Sequence, residues 1–292
     1  MTSTELTVLT DSQKQLLALA EQGSFTGTSG GGSLPFKKLL MVNEMGLETP
    51  EGTPVPQGSF YIPDTELFDS KITLRPLAIA NKLVTRLGQD EDFKVDGETV
   101  YFMDWNQERI DSKGGVSLGR LFGKAAKELS PEEAEINKEK AGLYLHVFGI
   151  ATIKDTEELV LLSLRGGKYG RVSSVMMNKK ALNNTQPMQL NFKLELVLPS
   201  KDPELSVKER KEAKNTYFNL LCIPIMTEVL PIAPVIAQLE TILNYIAAHD
   251  SRINEKHRLA RQNTAGDTSS EDGGDVYDAE FEEVEAAMAE LG

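Results

Sequence analysis

The chain contains little of what covalent cross-linking, metal binding or catalysis usually requires. It has one cysteine, Cys222, and three histidines among 292 residues. A single cysteine excludes an internal disulfide and a cysteine-cluster zinc site, and its apolar surroundings in LLCIPI predict a buried, unreactive thiol. The histidines, His146, His249 and His257, lack the spacing to acids or to the cysteine that zinc ligands show. We therefore expect no bound metal and no cofactor.

The motifs of common enzyme classes are also missing. The chain has no G-x-S-x-G elbow, no Walker A sequence and no H-E-x-x-H. Three carboxylates, Asp64, Glu66 and Asp69, lie close together, and a nuclease could hold Mg²⁺ with such a set. Nothing else in the sequence supports this chemistry. We expect a protein that is not an enzyme, and a metal-dependent nuclease is the least favoured alternative.

Membrane-spanning and secretory patterns are missing as well. The most apolar stretch, residues 229–237, is too short to span a bilayer and contains Pro231 and Pro234. The N-terminus shows no basic region followed by an apolar run, so no secretory signal is expected. With one cysteine and 26% charged residues, the sequence predicts a globular protein of the cytoplasm that does not contact a membrane.

Acidic and basic residues are distributed unevenly. Residues 264–292 contain ten acids and no lysine or arginine, and without those charges the formal net charge changes from -13 to -3. The body is thus close to neutral, which is compatible with a nucleic-acid site. In isolation the tail is expected to be disordered, and it either folds into the groove of a partner protein or only solubilises the chain. Four apolar residues would share one face of its helix: Phe281, Val284, Met288 and Leu291.

The segment 143–180 combines two predicted strands with a basic stretch. Alternate residues of LYLHVFGI face the core, while Tyr144, His146 and Phe148 face the other side and form either a stacking platform or the lining of a second layer. After a polar turn, LVLLSL predicts a buried strand, and RGGKYGRVSSVMMNKK then carries five basic residues and no acid. Cations and a ring on a glycine-rich hairpin suit a single-stranded nucleic acid, although a solvated hairpin explains the pattern about equally well.

The rest of the chain from residue 34 onward predicts mainly strands, followed by one long helix. LPFKKLLMVNE, FYIP, SKITLRPLAIANKLVTRLG, QLNFKLELVLP and YFNLLCIPIM have strand patterns, with an edge or bulge at Pro76. Asp96-Gly97 between two β-like runs predicts a hairpin turn. The aromatic residues that follow are expected in the core first, and to stack on bases if they are exposed: Tyr101, Phe102 and Trp105.

Three further segments complete the organisation. Residues 11–21 predict a short helix and residues 23–33 a flexible linker, so the N-terminus is expected to be a mobile arm. Residues 112–140 predict a long, glycine-rich and partly basic excursion between strands. The long helix after Pro234 carries an apolar stripe that is expected to dock on the β-rich body, with a helix–helix dimer contact as the alternative: Ile236, Leu239, Ile242, Leu243 and Ile246.

Over roughly residues 34–292 this layout resembles that of phage-type single-stranded DNA-binding proteins. The shared features are a β-rich body, a basic and aromatic hairpin, a C-terminal helix and an acidic tail with embedded apolar residues. The resemblance implies a mainly β, α+β fold with an OB-like five-stranded barrel that binds single strands without sequence preference. It also implies that the tail recruits replication or recombination proteins and competes with DNA. Residues 1–33 would be an arm and linker, 34–263 the binding domain, and 264–292 the disordered tail.

The function expected from these features is non-catalytic binding of single-stranded DNA. Phosphate contacts are assigned to the basic residues Arg165, Lys168, Arg171, Lys179 and Lys180, with Arg75, Arg120 and Lys124 in support. Base stacking is assigned to Tyr169, Tyr144, Phe148 and Trp105. The main alternative is a structural or assembly protein that does not bind DNA. The sequence leaves the choice between a monomer and a homo-oligomer open.

Overall fold

The computed structural model describes residues 34–43, 45–86, 95–103, 110–114, 141–213 and 217–266. Three α-helices occur in this part of the chain, α1 Gly167–Met176, α2 Val207–Glu212 and α3 Ile236–Gly266, and none of them is long and apolar enough to cross a bilayer. The expected mixture of strands and helices is confirmed. The strands are β1 Lys37–Met41, β2 Phe60–Tyr61, β3 Phe68–Asp69, β4 Lys71–Arg86, β5 Val95–Glu98, β6 Ala141–Ile153, β7 Thr156–Arg165, β8 Asn191–Val197 and β9 Asn219–Ile225.

The strands form one curled sheet in the order β3-β2-β1-β7-β6-β4-β8-β9, and β5 pairs with β4. β1 runs parallel to β7, with Lys37 opposite Val160. β6 and β7 form a long antiparallel hairpin that turns at Lys154 and Asp155, both of which have positive φ, as a tight two-residue hairpin turn requires. A five-stranded OB-like barrel is not confirmed, because the described pairings continue through up to nine strands of one sheet.

One face of the sheet packs against α1. The residues of β6 and β8 that alternate toward this face are buried, and α1 adds Val172 and Met176 to the same apolar cluster. Each such side chain contributes about 1.5–3 kcal/mol when it leaves water. The alternation predicted for these strands is therefore confirmed. The inward residues include Leu145, Val147, Phe192, Leu194 and Leu196.

The other face of the sheet packs against the first half of α3. Phe148 of β6 and Leu161 of β7 are buried there, together with Leu77 and Ala80 of β4. The predicted docking of the α3 stripe is confirmed, and its burial leaves no such stripe for a helix–helix dimer contact in the described part of α3. Buried residues of the stripe are Ile236, Leu239, Ile242, Leu243 and Ile246.

The alternation of β4 changes after Pro76. Ile72 and Leu74, two residues apart, lie in the cluster under α1, whereas Leu77 and Ala80, three residues apart, both lie in the cluster under α3. Residues three apart on a regular strand face opposite sides. The strand is therefore irregular at the position where the proline predicts an edge or a bulge.

The contacts divide the chain into two compact units. Among described residues, unit 1 contains 34–43, 45–82, 101–103, 143–213 and 217–251, and unit 2 contains 83–86, 95–100, 110–114, 141–142 and 252–266. Within unit 2, the guanidinium of Arg252 pairs with the largely buried carboxylate of Glu98 at 2.5 Å. The imidazole of His257 lies 2.9 Å from the carbonyl oxygen of Asp111. These contacts connect β5 and its neighbours to the second half of α3.

The prediction of a hairpin turn at Asp96-Gly97 is wrong. Both residues belong to β5, and Gly97 lies opposite Thr85 of β4. The register shifts between Thr85 and Arg86, and a glycine next to such an irregularity is common because it packs no side chain against the distorted ladder. Residues 87–94, which connect the two strands, lie outside the described residues, as do the predicted N-terminal arm and most of the 112–140 excursion.

Candidate nucleic-acid interface

The basic stretch after β7 forms helix α1 rather than the predicted hairpin. Gly166 precedes the helix with φ 59° and ψ -136°, a conformation that glycine adopts without steric cost. From there the spacing of Val172 and Met176, four residues apart, places both side chains on one face against the core. The hairpin prediction failed because the glycines start the helix instead of interrupting a strand, and burial of that face offsets the low helix propensity of Gly170.

Arg165 and Lys168 form a basic pair at the start of α1. Arg165 ends β7 and is exposed, whereas Lys168 is half-buried and its Nζ lies 3.4 Å from Oδ1 of Asn43. Burial, and then the positive charge of Arg165, lower the pKa of Lys168. In the part of the chain that the structure describes, no carboxylate lies within ion-pair distance of either residue. The two cations therefore repel each other, and an anion between them would relieve that repulsion.

The first turn of α1 leaves room for such an anion. It has no acidic residue and no side-chain cap. A side chain built at Gly166, Gly167 or Gly170 would meet nothing within 4 Å, so the space around these residues is open. The first backbone N–H groups of a helix point toward its N-terminus and attract negative charge. Together with Arg165 and Lys168, this helix start suits a phosphate oxygen.

Lys179 and Lys180 lie in the turn that follows α1. Both side chains are exposed. The carboxamide oxygen of Asn178 accepts hydrogen bonds from the N–H groups of Lys180 at 3.1 Å and Ala181 at 3.2 Å, which fixes the backbone that carries the lysines. Among described residues, neither lysine has a carboxylate partner. They extend the positive surface beyond the start of α1.

Two tyrosines assigned to stacking have different surroundings. Tyr144 is half-buried and lies directly opposite Arg165 in the β6–β7 hairpin, so both side chains project from the same face. Tyr169 packs against the core under α1, and its hydroxyl donates a 2.9 Å hydrogen bond to Oδ1 of Asn81. Burial raises the pKa of Tyr169. Tyr144 thus offers a ring next to a cation, while Tyr169 is held inward by its hydroxyl.

Three other predicted site residues are engaged within the protein. Phe148 has no exposed area, so its ring cannot reach a base unless the core opens. Arg171 pairs with Asp202 at 2.6 Å and with Glu204 at 3.1 Å. Arg75 donates hydrogen bonds to the carbonyl oxygens of Met188 and Pro231. Each of these side chains already has a structural role that binding of a nucleic acid would have to disrupt.

The remaining predicted site residues lie outside the described residues. They are Trp105, Arg120 and Lys124 and the apolar residues of the tail, Phe281, Val284, Met288 and Leu291.

Two of the three carboxylates considered for a nuclease accept hydrogen bonds from backbone N–H groups. Oε1 of Glu66 accepts the N–H of Glu51 at 3.0 Å, and Oδ1 of Asp69 accepts the N–H of Lys71 at 3.1 Å. Over the described ranges, no group of three histidine, cysteine or acidic side chains is placed to hold a metal ion. The structure therefore gives no support to the Asp64, Glu66 and Asp69 set as a metal site.

Sequence reasoning missed the two asparagines that orient site residues. Asn43 contacts Lys168 from the end of β1, and Asn81 holds Tyr169 from β4. Asn81 has no exposed area, and its position within PLAIANKLV is a usable signal, because a buried amide in an apolar strand needs a hydrogen-bond partner. Asn43 gives no such signal, since it follows a strand in a polar loop.

Comparison with known proteins identified no relative of the chain. The chain matches no family model, and neither the curated proteins nor the solved structures include a significant match to it.

Proposed function

We propose that the protein is a non-catalytic single-stranded DNA-binding protein that acts without sequence preference in phage-type replication or recombination. The DNA site would be the α1 surface, which we define as Arg165, Lys168, Lys179 and Lys180, with Tyr144 as the ring opposite Arg165 on the sheet face that packs against α3. One observation carries the proposal: in a chain of net charge -13, the four cations of this surface have no carboxylate partner among described residues.

Some other basic residues of the fold make ion pairs, unlike the cations of the α1 surface. Lys37 pairs with Glu158 at 2.7 Å, and Lys71 pairs with Glu195 at 3.1 Å. Cations that are kept together without counter-charges are what phosphate binding requires. The ring of Tyr144 beside Arg165 supports a contact to a base, which would contribute about 1–3 kcal/mol in a single-stranded complex.

The proposal retains the OB-like barrel as the form of the binding body. We propose that five neighbouring strands of the curled sheet, β1, β7, β6, β4 and β8, form this barrel. It also retains the acidic tail as a segment that recruits partner proteins and competes with DNA, since all ten acids of residues 264–292 follow Gly266, where α3 ends.

The test is fluorescence anisotropy of labelled oligo-dT titrated with the full-length protein and with a variant that ends at Gly266. We expect binding that weakens as salt increases, resistance to competition by duplex DNA, and tighter binding by the shortened variant. Absence of oligo-dT binding by both proteins at low salt would refute the proposed function.

A matched set of substitutions localises the site. Replacing Arg165, Lys168, Lys179 and Lys180 with alanine removes four phosphate contacts, so we expect loss of most binding and a smaller dependence on salt concentration. The control replaces Lys37 and Lys71, which are already paired with carboxylates. If the control weakens binding as much as the α1 variant, the site lies elsewhere.

A second candidate function, a structural or assembly protein, is favoured by a different surface. Ile223, Ile225, Met226 and Val229, in and after β9, are between 36% and 59% exposed. Neighbouring apolar side chains of this kind occur where protein chains associate. Oligomers that persist in high salt, measured by light scattering, together with no oligo-dT binding would favour this alternative.

A further inference from the structure

Strand β9 forms one edge of the sheet, and its outer side has no strand partner among the described residues. It pairs with β8 along all seven of its residues, and the sheet order ends there. Its sequence, NLLCIPI, contains no charged residue. The opposite edge is β3, which has two residues and ends with the carboxylate of Asp69. Short or charged edges resist pairing with another chain, whereas a longer uncharged edge favours it. Of the two edges, β9 is therefore the one suited to take a further strand.

The side chains beside this edge are apolar and exposed. Leu220 and Cys222 lie in the cluster under α1, so the alternate residues Ile223 and Ile225 project from the opposite face. These two isoleucines are 49% and 36% exposed. Pro224 removes one backbone donor near the end of the strand and leaves the donors of the residues before it. A strand added to this edge would gain backbone hydrogen bonds and bury both isoleucines.

The charges around β9 favour a second copy of the chain as the partner. Helix α2 lies near the start of β9, since Asn219 donates to Asp202 and α2 packs against the 3₁₀ turn Pro199–Lys201. Helix α2 carries three bases and two acids, whereas the turn after β9 carries the exposed Glu228 and no base. In an antiparallel pair of identical strands, the start of each strand lies beside the end of the other. The basic end of one copy would thus meet the acidic end of the other.

A second copy also matches the apolar character of this edge. It brings a strand of the same length that has no charge to bury. A charged strand, such as one from the acidic residues 264–292, would place carboxylates against the isoleucines and lose their hydration. Identical chains associate most often as twofold dimers, in which the same patch of surface serves both copies.

We propose that β9 pairs antiparallel with β9 of a second copy, so that the sheet continues across a twofold homodimer. Placing Ile223 opposite its own copy sets Leu221 opposite Ile225, so each exposed isoleucine gains an apolar neighbour. Lys193, which lies opposite Ile223 on β8, would then be separated from its copy by three strand spacings, about 14 Å. The repulsion between these two lysines is therefore weak at physiological salt.

The dimer would also bring two DNA sites together, and this part of the inference rests on the proposed function. Val172 and Met176 of α1 share one apolar cluster with Leu220 and Cys222 of β9, so α1 covers one face of the edge strand. Antiparallel pairing about a twofold axis perpendicular to the sheet keeps that face on the same side in both copies. Both α1 surfaces would therefore lie on one side of the dimer, where a long single strand can contact both.

The first test measures association of the full-length protein by sedimentation velocity without DNA. We expect wild-type dimers at micromolar concentration. In Ile223→Lys the dimer Kd should rise at least about a hundredfold, because two lysines would face each other in the interface. Leu259→Lys is the control, since Leu259 is 39% exposed but lies on α3, and this variant should dimerise as the wild type does. A monomeric wild type, or an Ile223→Lys dimer as stable as that of the wild type, would overturn the inference.

Cross-linking tests the register of the two strands. Ile223→Cys should form an intermolecular disulfide under mild oxidation, because directly opposed residues of an antiparallel pair have Cα atoms about 4.5–5.5 Å apart. Lys193→Cys, one strand further in, is the matched control, since about 14 Å between its copies is beyond the reach of a disulfide. The wild type should not cross-link either, because Cys222 is buried. Equal cross-linking of Lys193→Cys and Ile223→Cys would overturn the proposed pairing.

Anisotropy separates the homodimer from the proposed function. Ile223→Lys should bind an oligo-dT of about 8 nucleotides as the wild type does, because one α1 surface accommodates it. It should bind an oligo-dT of about 40 nucleotides at least about tenfold more weakly than the wild type, because only the dimer uses two linked sites. Equal affinity of the two proteins for the long oligonucleotide would overturn the two-site arrangement. A dimeric wild type that binds neither oligonucleotide would refute the proposed function and leave the homodimer intact.

Discussion

At the scale of single residues, Arg171 shows how a basic residue in a candidate DNA site can serve the fold instead. It bridges α1 to the loop after β8 through Asp202, which has no exposed area, and Asn219 donates to the same carboxylate at 2.6 Å. Removing one partner of a buried ion pair leaves an uncompensated charge. The basic run alone does not indicate this pairing, because its acidic partner lies about thirty residues further along the chain.

Arg171→Ala should therefore reduce the stability of the protein. We expect the free energy of unfolding in urea to fall by about 2–4 kcal/mol, since the carboxylate of Asp202 keeps only part of its compensation. The control is Arg165→Ala, which removes an exposed side chain and should stay within about 0.5 kcal/mol of the wild type. Equal stability of the two variants would contradict a stabilising role for the Arg171–Asp202 ion pair.

Cys222 has the buried, unreactive character that its apolar neighbours predict. Burial, and then the charge of Glu204, raise the pKa of its thiol to about 12. In the unfolded chain a cysteine ionises near pH 8.5. The native thiol thus keeps its proton while the unfolded one loses it, so this group stabilises the fold fully below about pH 8.5 and progressively less as the pH rises toward 12.

Thiol chemistry tests this assignment. At pH 8 we expect an aromatic disulfide reagent to modify native Cys222 at least about a hundredfold more slowly than the urea-unfolded chain, because the thiolate fraction is far smaller in the native state. The unfolded protein serves as the internal control. Rapid modification of the native protein would mean that the thiol is accessible.

At the scale of elements, two glycines of the same region have opposite roles. Gly170 lies within α1 with open space around it, whereas a side chain on Gly149 of β6 would clash with the backbone of Arg75 and Pro76 on β4. One glycine is therefore dispensable for packing, and the other permits two strands to approach closely.

Alanine at each position should separate these roles. Gly170→Ala should raise the free energy of unfolding by about 0.5–1 kcal/mol, because alanine loses less backbone entropy in a helix. Gly149→Ala should lower it by about 1–3 kcal/mol, because the strands must move apart. Urea unfolding of both variants is the measurement, and a destabilised Gly170→Ala variant would contradict the open space at α1.

What the sequence predicted at this scale depended on how local each signal is. The alternation of QLNFKLELVLP and the apolar stripe of α3 are contained within one element, and both were predicted correctly. The segment RGGKYGRV was predicted wrongly as a hairpin, because Gly166 and Gly167 suit the start of a helix as well as a hairpin. Only the burial of Val172 and Met176 favours the helix. Arg165 and Lys168 were proposed from local charge, whereas Asn43 lies in the loop after β1, far along the chain, where no local pattern identifies it.

At the scale of the whole molecule, the proposed ligand and the protein carry charge of the same sign. A net charge of -13 would repel DNA at a distance, while the proposed site on the α1 surface would attract it at contact. At physiological salt the Debye length is about 8 Å, so salt screens the long-range repulsion more than the short-range attraction. The variant that ends at Gly266 should therefore associate with DNA faster than the full-length protein. This increase in association rate should be larger at low salt than at physiological salt.

The parallel pairing of β1 with β7 also governs the order in which the fold can form. Lys37 pairs with Val160, so more than one hundred residues separate the two strands along the chain. The β6–β7 hairpin needs only a two-residue turn and can form as soon as its own sequence is available. During synthesis the edge of β1 that pairs with β7 therefore stays unpaired until the hairpin has emerged from the ribosome. Strand β1 is thus synthesised before most of the sheet but completes its pairing late.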